Sequence, residues 1–136
     1  MDAERFPERE TTRAIIGAFF PVHTELGFGF LESVYRRALA HELTKLGLGV
    51  EVESSIDVWY DGIQVGHFRA DLLVERRVIV EVKASVALVD ADRKQLLNYL
   101  RATDVEVGLL LHFGPKASVK RLIFANARKS GRARHC

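Results

Sequence analysis

Residues 68–83 read Phe68-Arg69-Ala70-Asp71-Leu72-Leu73-Val74-Glu75-Arg76-Arg77-Val78-Ile79-Val80-Glu81-Val82-Lys83. Two apolar runs flank a short charged turn, which predicts two antiparallel strands, about Ile63–Val74 and Val78–Lys83. Asp71 stands where the first strand is otherwise becoming apolar. Glu81 and Lys83 stand two apart in the second, and the period of a strand puts both on one face with Val82 on the other. Because the turn is short, the strands are neighbours and Asp71 comes near Glu81 across the ladder.

Upstream, Val50 and Val52 alternate with Glu51 and Glu53, and Ile56, Val58 and Tyr60 with Asp57 and Trp59. This is a further strand. Asp61-Gly62 joins it to the next, since both central residues of a type I′ turn need positive φ. The three strands form an antiparallel meander. Two helices precede it. In Glu10–Leu26 the residues Ile15, Ile16, Phe19, Val22 and Leu26 make one apolar stripe. Pro21 is expected to kink or split this helix, and Gly27-Phe28-Gly29 ends it. The second helix, Phe30–Leu46, has a broad apolar face and stops at Gly47.

Downstream, a helix is predicted over Asp90–Ala102, with Leu96, Leu97 and Leu100 toward the core. Val105–Phe113 is nearly uninterrupted apolar sequence, as in a strand covered on both faces. Val119–Phe124 completes the chain as an edge strand. The order ααβββαββ is an α/β core in which the strand after the helix returns parallel to the meander.

A chain of 136 residues, 48% hydrophobic and 28% charged, is sized for one ordered domain, expected over 1–125 with a basic tail over 126–136. The lone cysteine, Cys136, forms no internal disulfide. A reducing, cytoplasmic setting follows from that usage, and no run is long and apolar enough for a membrane span. The net charge of +2 hides an asymmetry. Residues 1–115 hold 13 basic and 18 acidic side chains, whereas residues 116–136 hold seven basic ones and no acid. Lys116, Lys120, Arg121, Arg128 and Lys129 are accordingly candidate contacts to a polyanion. A solubilising tail is the alternative.

Asp71 and Glu81 repel unless a cation lies between them. Hard oxygen donors suit Mg²⁺ or Mn²⁺, with the Val82 carbonyl as a further ligand. Lys83 on the same face is placed to orient a water or to neutralise charge on a phosphate. Taken alone, the same residues also read as a charge pair on a solvated face. Gln95 and Tyr99, at i and i+4 on the following helix, share one face, suited to bracing a carboxylate and reaching a phosphate or else to an ordinary polar flank. Glu32, beside the apolar face of the second helix, is either a helix-dipole partner or a third carboxylate aimed into the cleft. His23 reads as a structural histidine beside the glycine turn, His67 as exposed polar sequence, and Trp59 and Tyr60 as hairpin packing.

Gly29-Phe30-Leu31-Glu32-Ser33-Val34-Tyr35 resembles the G-x-x-E-x-x-Y signature of the GxxExxY proteins. Val22-His23, Glu25-Leu26-Gly27, Arg69-Ala70-Asp71, Val80-Glu81-Val82-Lys83, Gln95 to Leu100 and Val107 to Leu111 resemble the rest of that family's pattern, over about residues 10–125. The family is placed in the PD-(D/E)XK nuclease superfamily. The resemblance implies a restriction-endonuclease-like core, a mixed central sheet flanked by helices. It further implies Glu32, Asp71 and Glu81 as metal ligands, Lys83 as the catalytic lysine, and Gln95 and Tyr99 as the Q-x-x-x-Y helix of RecB-like nucleases. Ala70 replaces the proline of the superfamily's name, and residues 126–136 fall outside the match. The implied function is a Mg²⁺-dependent nuclease (Mn²⁺ as substitute) acting on DNA, with RNA as the alternative substrate and a homodimer as one arrangement. The alternative is an inactive nucleic-acid- or partner-binding module on the same fold.

Overall fold

The computed structural model describes residues 7–129. Its elements follow the order α1 (Arg9–Leu26), α2 (Glu32–Lys45), β1 (Val50–Tyr60), β2 (Ile63–Val74), β3 (Val78–Lys83), α3 (Asp90–Arg101), β4 (Val107–Phe113) and β5 (Ala117–Ile123), and a 3-10 turn, Asn126–Arg128, follows. The strands form one five-stranded sheet in the order β1-β2-β3-β4-β5. β1, β2 and β3 are antiparallel neighbours, β3 pairs β4 in parallel, and β5 returns antiparallel on the edge. This is the mixed sheet flanked by helices that the sequence implied.

The sheet is covered on both faces. Leu72, Val74, Val80, Val82, Leu109 and Leu111 pack with Ile15 and Phe19 of α1 and Tyr35, Leu39 and Leu43 of α2. On the other face Ile79 and Leu110 pack with Leu96, Tyr99 and Leu100 of α3. β4 is buried throughout its length and β3 almost so, which is why their sequences lack the polar half of the strand pattern. Each large apolar side chain taken from water in this way stabilises the fold by roughly 1.5–3 kcal/mol. Gly108 lets α3 approach β4: a Cβ there would stand 2.8 Å from the Leu96 side chain.

The Asp61-Gly62 turn has φ of 52° and 76°, the conformation required of a two-residue hairpin loop. Helix α1, by contrast, runs unbroken through Pro21. The proline ring lies on the exposed side of the helix, as does Gly17 four residues before it. On that side the Gly17 carbonyl, which loses its donor to the proline, has water to bond instead. On α3 it is Tyr99, not Leu97, that joins Leu96 and Leu100 in the core. Asn126 donates through its amide N–H to Glu106 Oε2 at 2.7 Å and through Nδ2 to the Asp104 carbonyl at 2.9 Å, so the chain stays on the body through Lys129. The rest of the expected tail, 130–136, lies outside the described residues.

Candidate active site

The β2–β3 ladder pairs Val74 with Val78, Leu73 with Ile79 and Leu72 with Val80, and stops there. The next pair would be Asp71 and Glu81. In place of the ladder, the Asp71 N–H donates to Glu81 Oε2 at 2.8 Å and the Val82 N–H donates to Asp71 Oδ2 at 2.7 Å. On the other side of β2, the pairing with β1 skips Glu53, which sits at φ 52° between Val52–Leu72 and Ser54–Ala70. The strands diverge at Asp71, and the carboxylates fill the gap.

Glu81 is 4% exposed. Burial, and then the charge of Asp71, push its carboxyl up to about 8, with Lys83 opposing the rise and Glu32 adding to it. A carboxyl this high has too little positive charge around it for its burial. Tyr99, at 6% exposure, is pushed up to about 12 by burial and by the charges of Glu81 and Asp71. Its hydroxyl thus stays protonated near neutrality, within electrostatic reach of both acids. Lys83 Nζ lies 3.4 Å from Gln95 Oε1. Asp71, Glu81, Lys83, Gln95 and Tyr99 are thus gathered at one end of the β3–α3 crevice.

Glu32 lies at the first turn of α2, close enough for its charge to reach Glu81. It lines a neighbouring cleft of about 430 Å³ with Phe30, Leu31, Ala84 and Ser85. Among the described residues no three His, Cys, Asp or Glu side chains close on one point, so the acids present a pair with Glu32 standing off. The contact made by Val82 is through its N–H, and its side chain is core.

The basic residues divide. Arg121 points inward from β5 and donates to Thr12 Oγ1 at 2.9 Å and to the Pro7 carbonyl at 2.6 Å. Lys129 Nζ donates to the carbonyls of Thr103 and Val105 at 3.0 and 2.7 Å. Alternation in β5 turns Arg121 toward α1, and the C-terminal turn brings Lys129 onto the Thr103 and Val105 carbonyls. Lys116, Lys120 and Arg128 are exposed, with Arg128 over the Phe124 ring at 5.1 Å.

Two residues, Arg36 and Asp92, were missed from sequence, and Tyr35 was read there as the last residue of the signature. Arg36 donates to Asp71 Oδ1 at 3.3 Å and approaches Glu53 at 3.7 Å; its signal was position i+4 from Glu32 on the same helix face. Asp92 accepts from the Val89 N–H at 3.0 Å, capping α3, and its other oxygen stands 3.9 Å from Lys83 Nζ. Asp92, Gln95 and Tyr99 recur at three and four, so one face of α3 serves the site. Tyr35 holds the glycine turn before Glu32: its hydroxyl donates to the Gly27 carbonyl and accepts from the Phe30 N–H at 3.2 Å, while its ring stacks on Phe113 at 4.4 Å. His23, as expected, is structural, bonding the Gly114 carbonyl through Nε2 at 2.8 Å.

Two hard-oxygen side chains, one of them buried with its carboxyl pushed up, fit a divalent cation of the Mg²⁺ or Mn²⁺ kind, which commonly takes one or two protein carboxylates and waters. The family model of the PD-(D/E)XK nuclease superfamily matches residues 9–122. The crystal structure of SSO0001 aligns with a TM-score of 0.47 at 16% sequence identity, covering 91% of this chain and 60% of that one. The chain thus spans less than two thirds of that protein's length. No curated protein matches the chain.

Proposed function

Given that the chain belongs to the PD-(D/E)XK nuclease superfamily, we propose that it is a metal-dependent nuclease that hydrolyses phosphodiester bonds, in DNA before RNA. Asp71 and Glu81 would hold Mg²⁺, or Mn²⁺ in its place, with Glu32 contributing from α2. A cation so held supplies Lewis-acid polarisation of the phosphate and a water of lowered pKa. The protein's own residues do the rest. The Asp71–Glu81 exchange with the backbone fixes both carboxylates before substrate arrives. Lys83, steadied by Gln95 and Asp92, sets its ammonium against the charge that grows on the phosphate. Tyr99 keeps its proton and so offers a donor hydroxyl to a substrate oxygen.

The observation that carries this reading is the interlocked Asp71–Glu81 pair with Lys83 two residues on, on the same face. Purified protein incubated with single- and double-stranded DNA and RNA, with Mg²⁺ or Mn²⁺, tests it. Cleavage is expected only with metal and is expected to fall at least about 100-fold in Asp71→Ala and in Lys83→Ala. Cleavage without metal, or cleavage that survives both substitutions, refutes it.

A second reading, a nucleic-acid-binding or partner-binding module without turnover, draws on Arg36, whose guanidinium already stands against Asp71 Oδ1. Salt-dependent nucleic-acid binding unaffected by Glu81→Ala, with no cleavage, favours it. Lys116, Lys120 and Arg128 are the exposed cations such binding would use.

A further inference from the structure

A cavity of about 590 Å³ opens beside the acids, between the β1–β2 hairpin and α3. The size is that of a small-ligand cleft. Val58 and Phe68 form its apolar wall, Gln95 and Tyr99 its boundary with the acid pair, and Asn98 and Arg101 its outer polar rim. Phe68 is 45% exposed, whereas Ala70, two residues on and facing the same helix, is 1% exposed. Its ring meets Tyr99 tilted at 43°, with centroids 5.9 Å apart, and lines the cavity. The ring lies over Gly66: a Cβ there would stand 3.0 Å from it. The missing side chain is what lets Phe68 lie down against the strand.

A planar apolar wall, two side-chain amides and a guanidinium at the mouth together match one class of ligand. An aromatic face stacks any base, amides meet the polar edge of a base, and a cation meets the adjoining phosphate. Gln95 and Tyr99 belong to both the cavity and the acid site, so a base held here has its neighbouring phosphate at Asp71 and Glu81. We infer that the cavity is a nucleotide subsite that takes one unpaired base of the substrate strand, stacked on Phe68. The inference rests on the nuclease reading of the adjoining acids and adds a substrate class to it. A base inside a duplex is stacked on both faces and paired at its edge, so it enters only after being flipped out or where the strand is single.

The test is binding without cleavage. In EDTA, fluorescence anisotropy follows a fluorescein-labelled oligodeoxythymidylate of about twelve nucleotides, and a duplex of equal length, on the full chain. Phe68→Ala is expected to weaken single-strand binding about tenfold and duplex binding less than about twofold. Phe68→Trp restores the stack and the affinity, and Gly66→Ala, which lifts the ring, lowers it. Thermal melts by circular dichroism check that each variant folds; if Phe68→Ala does not, Gly66→Ala on the half-buried strand and Asn98→Ala on exposed surface carry the test. No single-strand binding by wild type, or equal losses on single strand and duplex, overturns the subsite. Asp71→Ala separates the two readings, since it should cut nothing while its single-strand binding still falls when Phe68→Ala is added. Asp71-dependent cleavage with Phe68-independent binding removes the subsite alone, and Phe68-dependent binding without cleavage removes the nuclease reading alone.

Discussion

Glu81 accepts the backbone N–H of Asp71 at 2.8 Å, and Asp71 in turn accepts the N–H of Val82 at 2.7 Å, so each acid is bonded to the other's strand. Both bonds stand where the β2–β3 ladder, ended at Leu72–Val80, would have continued. The arrangement satisfies two amides that strand divergence would leave unpaired, and it orients both carboxylates on folding rather than on ligand arrival. Packing between α3 and the sheet keeps Glu81 from water. A buried acid facing a second acid is a poor stabilising device, and that imbalance marks the site.

The raised carboxyl of Glu81 sets a pH dependence. Its pKa is about 8 in the folded protein against 4.5 ordinarily, so the folded state holds the proton more tightly than the unfolded chain. Stability from this group is fully present below the ordinary value and is lost as pH rises through about 8. Metal-free wild type should lose stability relative to Glu81→Gln across that window. Urea titrations of both proteins from acid to alkaline pH check it, and a gap that does not change with pH contradicts it.

Tyr35→Phe removes a hydroxyl that bonds Gly27 and Phe30 and leaves the ring stack with Phe113 in place. The expected cost is about 1–2 kcal/mol, read as a lower thermal midpoint. Because the same turn launches α2 at Glu32, nuclease activity should fall further than the lost stability explains. Activity per folded molecule, measured well below the midpoint, checks this.

Arg121→Ala should cost about 1–3 kcal/mol, since it strips the buried Thr12 hydroxyl and the Pro7 carbonyl of their donor. Lys120→Ala, one residue away on exposed surface, should change stability by less than about 0.5 kcal/mol. It should instead reduce the salt dependence of nucleic-acid binding. Denaturant unfolding and binding at two ionic strengths separate the two roles.

Asp92→Ala removes the acceptor that caps α3 at Val89 and the partner 3.9 Å from Lys83. A loss of about 0.5–2 kcal/mol is expected from the cap. Asp92→Asn keeps an acceptor for the cap and drops the charge, so it should retain most of the stability while altering cleavage. The comparison of the two variants in melts and in cleavage assays checks the assignment.

Much of this architecture was legible because its determinants are local. Asp61-Gly62 named its own turn, and β2 and β3 lie where the alternation and the Glu75-Arg76-Arg77 turn placed them. Asp71 and Glu81 could be paired on paper because ten residues and one turn separate them. What escaped was set by distant packing. Pro21 was read as kinking or splitting the first helix, and α1 is not split there. Arg36 reaches Asp71 only because α2 lies across the sheet end, and Arg121 turns inward because the start of α1 lies over β5. Such contacts join residues 35 and 109 positions apart, and no local period records them.

Isothermal calorimetry with Mn²⁺ addresses the central claim directly, that Asp71 and Glu81 form a divalent-cation site. Wild-type protein at a pH near that of Glu81 titration should show saturable binding with proton release, as the cation displaces the Glu81 proton. Asp71→Ala and Glu81→Ala should abolish it, and Lys83→Ala should retain it. Equal binding by wild type and Glu81→Ala, or no binding by wild type, would contradict the account.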